Sequence, residues 1–314
     1  MPSLIEWTDE TVNPFRARTF GKTGHHCVKI SPGCQFCYSS QMQARFGMPS
    51  FAEQTKALGE VFLDERVLQR VLHWKKGRRI FWCSMTDMFL DDYQDEWIDQ
   101  CFATMALTPQ HIHMVLTKRP ERMQAYFAKN RRSYIATAAD DLGCTKAEWY
   151  LNIVPIHSSD WPLPNVYLGV SVENQQYADE RIPLLLQTPA AVRFVSYEPA
   201  LGPITFERWL PLGCDGPIWP PYLKWLIFGG ESGPNARPCN IQWAQDARDQ
   251  CKTAGVPFFM KQFGRDPYEA PADMTPGSTA FLRLTSATYV GLHDRKGGDP
   301  SEWPEEDRVR EFPR

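Results

Sequence analysis

The chain has no apolar run approaching the roughly 18 to 20 residues that a membrane-spanning helix needs. Its first residues, Met1 to Trp7, also lack the basic and apolar regions of a secretory signal. These absences argue against a membrane or an exported protein, and the expectation is a cytoplasmic one with no membrane partner. An excess of one charge is missing too. There are 34 Lys and Arg against 37 Asp and Glu, a formal net charge of −3, so no global field draws the chain to nucleic acid or an anionic surface. A local basic groove stays open, with Lys22, Lys118, Arg119, Arg131 and Arg132 as its candidates. Nor is there a disulfide pattern: nine cysteines, an odd number scattered over 314 residues, fit a reducing compartment better than a stapled secreted domain. Internal repeats and low-complexity tracts are absent. Gly21-Lys22-Thr23 ends like a phosphate-binding loop but lacks the upstream glycine and a preceding apolar strand.

What is present starts at His25 to Tyr38, where Cys27, Cys34 and Cys37 stand as CxxxxxxCxxC. The two-residue step between Cys34 and Cys37 lets both thiolates reach one metal centre. Ser31-Pro32-Gly33 supplies a turn that folds Cys27 back toward them.

Around this loop the chain alternates. Short runs rich in β-branched and aromatic residues recur at Ile80 to Met85, His111 to Leu116, Val166 to Val172, Val192 to Ser196, Trp225 to Phe228 and Pro257 to Met260, each with the length of a buried strand. Helical patterns occupy Ser39 to Phe46, Asp64 to Trp74, Asp95 to Leu107, Tyr177 to Gln187 and Gln242 to Ala254, the last closing on Gly255. Strand, helix, strand in repetition implies parallel strands with right-handed crossovers. The expected fold is therefore α/β, a partial or complete parallel (β/α) barrel over residues 1–264; a flat doubly wound sheet is the alternative. Insertions are expected near 126–164, with Trp149 and Trp161, and near 206–222. Residues 265–314, where periodicity fades, read as a C-terminal extension packed on the barrel.

In such a barrel the working residues lie at the C-terminal ends of the strands. The runs end in Ser84-Met85-Thr86-Asp87, Thr117-Lys118-Arg119, Ser171-Val172-Glu173-Asn174, Ser196-Tyr197-Glu198, Gly229-Gly230-Glu231 and Lys261-Gln262. Asp87, Glu173, Glu198 and Glu231 are candidate carboxylates for one cavity, with Lys118, Arg119 and Lys261 to balance them. Glu198, Glu231 and Lys261 are the candidate catalytic acid-base groups; a ring of structural ion pairs is the competing explanation. Gly229-Gly230 reads either as room for a ligand or as a tight turn.

Three readings compete for the cysteines. An iron-sulfur cluster held by three thiolates leaves one iron for a non-protein ligand. A structural zinc ion needs a fourth ligand, which His25 or His26 can supply. Inert thiols are the third. The single CxxC pair and the aromatic Phe36 and Tyr38 favour the cluster. Cys83 lies where a strand end approaches the site, whereas Cys101, Cys144, Cys214, Cys239 and Cys251 read as core or surface thiols. A metal-dependent hydrolase using Asp87 and His113 is a further alternative, disfavoured by the lack of an HxH pair on the first strand.

The cysteine loop followed by a (β/α) barrel resembles the radical S-adenosylmethionine (radical SAM) superfamily, whose usual motif is CxxxCxΦC with Φ aromatic. Cys34-Gln35-Phe36-Cys37 supplies CxΦC, and the first spacing is six residues instead of three. Ser31-Pro32-Gly33-Cys34, Ser84-Met85-Thr86-Asp87, Thr117-Lys118-Arg119-Pro120, Gly169 to Asn174, Glu198-Pro199, Gly229 to Gly233 and Lys296 to Pro300 make the chain similar, over nearly its whole length, to a bacterial and phage family labelled phage gp thirty-seven/sixty-eight. The superfamily resemblance implies a 4Fe-4S cluster on Cys27, Cys34 and Cys37 that binds S-adenosylmethionine, cleaves it reductively and generates a radical that acts on an unknown substrate, with an electron donor protein as partner. It further implies Phe36 packing on adenine, Ser84 and Asp87 at the amino group, Lys118 or Arg119 at the carboxylate, and Ser171 and Glu173 at the ribose. The phage-like family and the basic candidates suggest a nucleic-acid component as substrate. The alternative function is a zinc-stapled binding protein without turnover.

Overall fold

A computed structural model of the chain describes residues 3–51, 59–143, 162–211, 221–269 and 288–313. Its elements, in order, begin with β1 (Glu10–Val12), β2 (Phe15–Thr19), β3 (Lys22–Gly24), helix α1 (Tyr38–Arg45), β4 (Val61–Leu63), α2 (Glu65–Leu72), β5 (Arg79–Trp82) and α3 (Asp95–Ala106). They continue with β6 (Ile112–Thr117), α4 (Pro120–Ala128), α5 (Arg132–Asp141), β7 (Val166–Val172), α6 (Gln175–Gln187), β8 (Val192–Tyr197) and β9 (Trp225–Gly229). The last are β10 (Cys239–Asn240), α7 (Ile241–Ala254), β11 (Phe258–Gln262), β12 (Pro267–Glu269) and β13 (Thr288–Tyr289).

Seven strands make one sheet in the order β1-β5-β6-β7-β8-β9-β11, with parallel pairings such as Ile80↔His113, Val115↔Leu168, Val195↔Leu226 and Ile227↔Phe259. The order has two ends, as a partial (β/α) arrangement requires. Every residue of β7 and of β9 is buried, which explains why these strands read as continuous apolar runs instead of alternating ones. The six expected runs each contain a strand, with ends shifted by up to three residues. The largest shift has a local cause. β5 stops at Trp82 because the next residue, Cys83, takes a left-handed backbone (φ 61°), so the run does not extend to Met85.

β1 and a small antiparallel sheet, β3-β2-β4, have no counterpart in the sequence pattern, because strands of three to five residues carry little readable period. Helix α2 buries Val67, Leu68 and Val71 along one face, the i, i+1, i+4 pattern expected of it. Helix α7 has matched ends: Asn240 accepts a capping hydrogen bond from Gln242 N, and Gly255 closes it at φ 67°.

The chain divides into two compact units, Met1–Val170 with Pro183–Arg193, and Ser171–Ile182 with Phe194–Arg314. In the second, the segment beyond residue 288 packs on β11. Phe263 N donates to Gly297 O at 2.9 Å, Met260 N to Val309 O at 2.8 Å and Glu311 N to Phe258 O at 2.9 Å. Trp303, 2% exposed, anchors it through Nε1 to Gly297 O at 3.0 Å. Trp149 and Trp161 of the expected first insertion, the centre of the second at 212–220, and Cys144 and Cys214 lie outside the described residues. Among the described residues no helix is long and apolar enough to cross a membrane.

Two buried imidazoles are locked neutral. Arg16 Nη1 donates to His25 Nε2 at 2.8 Å; a guanidinium only donates, so Nε2 is the acceptor and Nδ1–H faces Phe15 O at 3.1 Å. Trp82 Nε1 likewise donates to His113 Nδ1 at 3.0 Å, which leaves Nε2–H for Thr108 Oγ1 at 3.0 Å. Burial, then Arg16, holds His25 down to about 4, and burial, then His111, holds His113 to about 3. Both values lie below the ordinary 6.5, so the stability they confer is complete above pH 6.5 and is lost progressively as the pH falls from 6.5 to about 4 for His25 and to about 3 for His113. Within its window each imidazole therefore contributes a slope of up to about 1.4 kcal/mol per pH unit. Urea unfolding at stepped pH measures this, and a profile flat from 6.5 to 5 would contradict it.

Candidate cofactor site at the strand ends

The cysteine loop is placed by the ends of β1, β5 and β6 in the first unit. Asn13, just past β1, binds the β5 end: its Oδ1 accepts from Met85 N at 2.8 Å, and its Nδ2 donates to Ser84 Oγ at 3.0 Å. Ser84 also accepts, through its carbonyl, the hydroxyl of Tyr38, the residue after Cys37. Ser39 Oγ donates to Met85 O at 2.7 Å. Thr86 Oγ1 and Tyr93 OH, the latter at 3.0 Å, both donate to the carbonyl of His26, the residue before Cys27. Both ends of the loop are thus tied to the segment that follows β5.

Beneath the loop sits Asp87, 6% exposed. Its Oδ1 accepts from Thr117 Oγ1 at 2.7 Å and Phe89 N at 3.0 Å; its Oδ2 accepts from Lys118 N at 2.9 Å and Arg119 Nη1 at 3.1 Å. Arg119 then donates Nη2 to Val28 O at 2.7 Å, reaching the loop itself. Burial works against the guanidinium's charge, but Asp87 and the thiols of Cys27 and Cys34 overcome it and raise its pKa. The Cys27 thiol is pushed up to about 12 by burial and by Asp87, with Arg119 opposing and Cys37 and Cys34 adding to the rise. Among the described residues no three His, Cys, Asp or Glu side chains close around one point as a single-ion site needs.

Phe36 is half-buried in the loop, its carbonyl accepting from Gln41 Nε2 at 3.1 Å. Cys83 is close enough to Cys27 and Asp87 for both to raise its thiol pKa, after burial. Of the histidines offered as a fourth ligand, His25 has both nitrogens committed. His26 bonds Asp92 Oδ2 through Nε2 at 2.9 Å, while its Nδ1 is buried with no hydrogen-bond partner among the described residues. The hydrolase alternative fails on His113, whose ring nitrogens are both occupied by Trp82 and Thr108.

In the second unit the candidate carboxylates each hold their own cation. Glu173, fully buried, meets Arg181 Nη1 at 3.1 Å, and the same nitrogen donates to Ser171 O at 2.7 Å. Ser171 Oγ donates to Glu198 O at 2.9 Å. Glu198 and Lys261, two of the candidate catalytic groups, form an ion pair. Glu231 is clamped by Arg237, Nε to Oε2 at 2.8 Å and Nη2 to Oε1 at 2.6 Å. Arg181 and Arg237 escaped the sequence reading, although Arg181 stands eight residues after Glu173 on the following helix, a spacing that returns to the same side. Gly229-Gly230 is filled by the chain: a Cβ on Gly229 would sit 3.0 Å from the Glu198 carboxyl carbon and one on Gly230 2.0 Å from Phe263 O. Close packing against Glu198 and the Phe263 backbone accounts for this pair. Two of the basic candidates are likewise internal, since Arg119 is paired with Asp87 and Arg131 with Asp99.

Replacing Asp87 by Ala strands a buried guanidinium and unties the loop, and should cost about 3–5 kcal/mol of unfolding free energy. Denaturant titration reads this directly; a loss under 1 kcal/mol would mean that the pair is not a structural tie.

Residues 2–289 match a family described as proteins of unknown function, DUF5131. No curated protein and no solved structure matches the chain. The chain therefore belongs to the DUF5131 family, over nearly its whole length.

Proposed function

We propose that the protein is a radical SAM-like iron-sulfur enzyme whose cluster is held by Cys27, Cys34 and Cys37. The observation that carries this reading is a loop with three cysteines, tied through Arg119 and Val28 O to a buried Asp87–Arg119 pair, at the strand ends of a parallel (β/α) sheet. Three cysteines in one short loop supply three thiolates to a cluster and leave one iron for a non-protein ligand.

When bound, the cluster supplies the electron for reductive cleavage of S-adenosylmethionine. The chain's own residues do the rest. Cys27 must shed its proton to serve as a ligand, and with its thiol pushed up to about 12 it does so only against metal; loading therefore releases protons near neutral pH. Arg119 carries a fixed positive charge next to Cys27 and favours its thiolate form. Phe36, Ser84 and Lys118 stand on the same loop and strand ends as candidate contacts for the cofactor. The hydrogen bonds of Asp87 suit it to orienting Arg119 and the Lys118 backbone.

Anaerobic purification and reconstitution should give a brown protein with iron and sulfide in near-equal amounts. Reduction with S-adenosylmethionine present should release 5′-deoxyadenosine and methionine, read by chromatography. Cys34→Ala should lose cluster assembly. A colourless protein that takes up one zinc and no iron would favour the zinc-stapled binding protein and defeat this reading.

A further inference from the structure

Between Thr11 and Phe51 the sequence has no Asp or Glu, yet holds Arg16, Arg18, Lys22, Lys29 and Arg45. In a chain of net charge −3 this is a local reversal of sign. Arg16 is turned inward on His25 and Arg18 is paired with Glu60. Lys22 and Lys29 bond only neutral carbonyls in the contacts resolved for them, those of Gly47 at 2.7 Å and Gln35 at 3.1 Å, and a carbonyl does not cancel an ammonium's charge. Arg45 is exposed on the last turn of α1.

Large apolar side chains stand among these cations. Tyr38, Met42 and Phe46 recur every four residues along the exposed face of α1, at 49%, 41% and 78% exposure. Phe20, 78% exposed, sits at the tip of the β2–β3 hairpin. The Lys22–Gly47 hydrogen bond brings the two aromatics onto one surface, since Phe20 precedes Lys22 by two residues and Phe46 precedes Gly47.

Phe20 is conspicuous for a second reason. Both residues of the hairpin's two-residue loop, Phe20 (φ 49°) and Gly21 (φ 73°), lie in the left-handed region. That turn favours Asn-Gly, and a bulky residue at its first position is disfavoured. A side chain that strains the backbone and buries nothing is not there for stability.

We propose that this surface binds single-stranded nucleic acid, with Phe20 and Phe46 as stacking platforms for bases and Lys22, Lys29 and Arg45 tracking the phosphates. Exposed rings interleaved with uncancelled cations on an acid-free segment suit a strand whose bases are unpaired and can lie flat on a ring. A duplex hides those base faces. The surface adjoins the cysteine loop but stands apart from the cluster reading, since no cofactor takes part in this contact.

The test is fluorescence anisotropy with a labelled oligo-dT or oligo-U and the full chain, iron being quantified on each preparation so that the two readings fail separately. Binding should weaken with salt, with a slope near −2 in log K against log salt for three phosphates neutralised. Phe20→Asn is the informative variant: it should raise the melting temperature by relaxing the turn, yet weaken binding about ten-fold or more. Phe46→Ala should weaken binding similarly, and Lys22→Glu should flatten the salt slope. Undiminished binding by both aromatic variants overturns the proposal. So does equal competition by poly-glutamate, or a concentration-dependent dimer that Phe20→Asn disperses in a protein that ignores the oligonucleotide.

Discussion

One buried ion pair holds the first unit's candidate site together. Asp87 gathers the β5 loop, the end of β6 and Arg119, and Arg119 passes the connection on to Val28 in the cysteine loop. The carboxylate oxygens accept from two backbone amides, a hydroxyl and a guanidinium, so the charge is fully solvated by protein groups despite its burial. Without that arrangement the cysteine loop would lose its tie to the end of β6 and would lean on the hydroxyls of Tyr38, Ser39, Thr86 and Tyr93 and on its buried histidines.

The same economy governs the second unit. Glu173, Glu198 and Glu231 are each neutralised by one cation, from Arg181, Lys261 and Arg237. Strand ends that look charge-rich in sequence are close to neutral in structure. Their polarity serves first to terminate strands whose faces are buried, and chemistry, where it occurs, has to work with groups already paired.

Legibility in the sequence followed the physics of each element. Long strands buried on both faces, such as β7 and β9, announce themselves as apolar runs, and helices α2 and α7 by their period and caps. The three-residue strands β1 and β4 are defined by pairing with distant partners, for which sequence has no local signal, and β3 by a hairpin turn, Phe20-Gly21, that lacks the usual Asn-Gly. The cysteine spacing and the strand-end carboxylates were visible, but their cation partners depended on the fold: Lys261 reaches back 63 residues to Glu198. Gly229-Gly230 shows the converse, a pattern readable as a ligand's berth whose space is taken by the Glu198 side chain and the Phe263 backbone. Phe20 passed unnoticed because its oddity is a dihedral angle, and a dihedral angle has no letter code.

The segment that packs on β11 has a consequence for self-association. An outermost strand ordinarily offers a row of open amides and carbonyls to any passing chain. Here Phe258, Met260 and Phe263 already exchange main-chain bonds with Glu311, Val309 and Gly297, and Arg310 lays its guanidinium against the Met260 and Lys261 carbonyls. With that row consumed from within, a second copy approaching this edge finds side chains and no template for adding a strand.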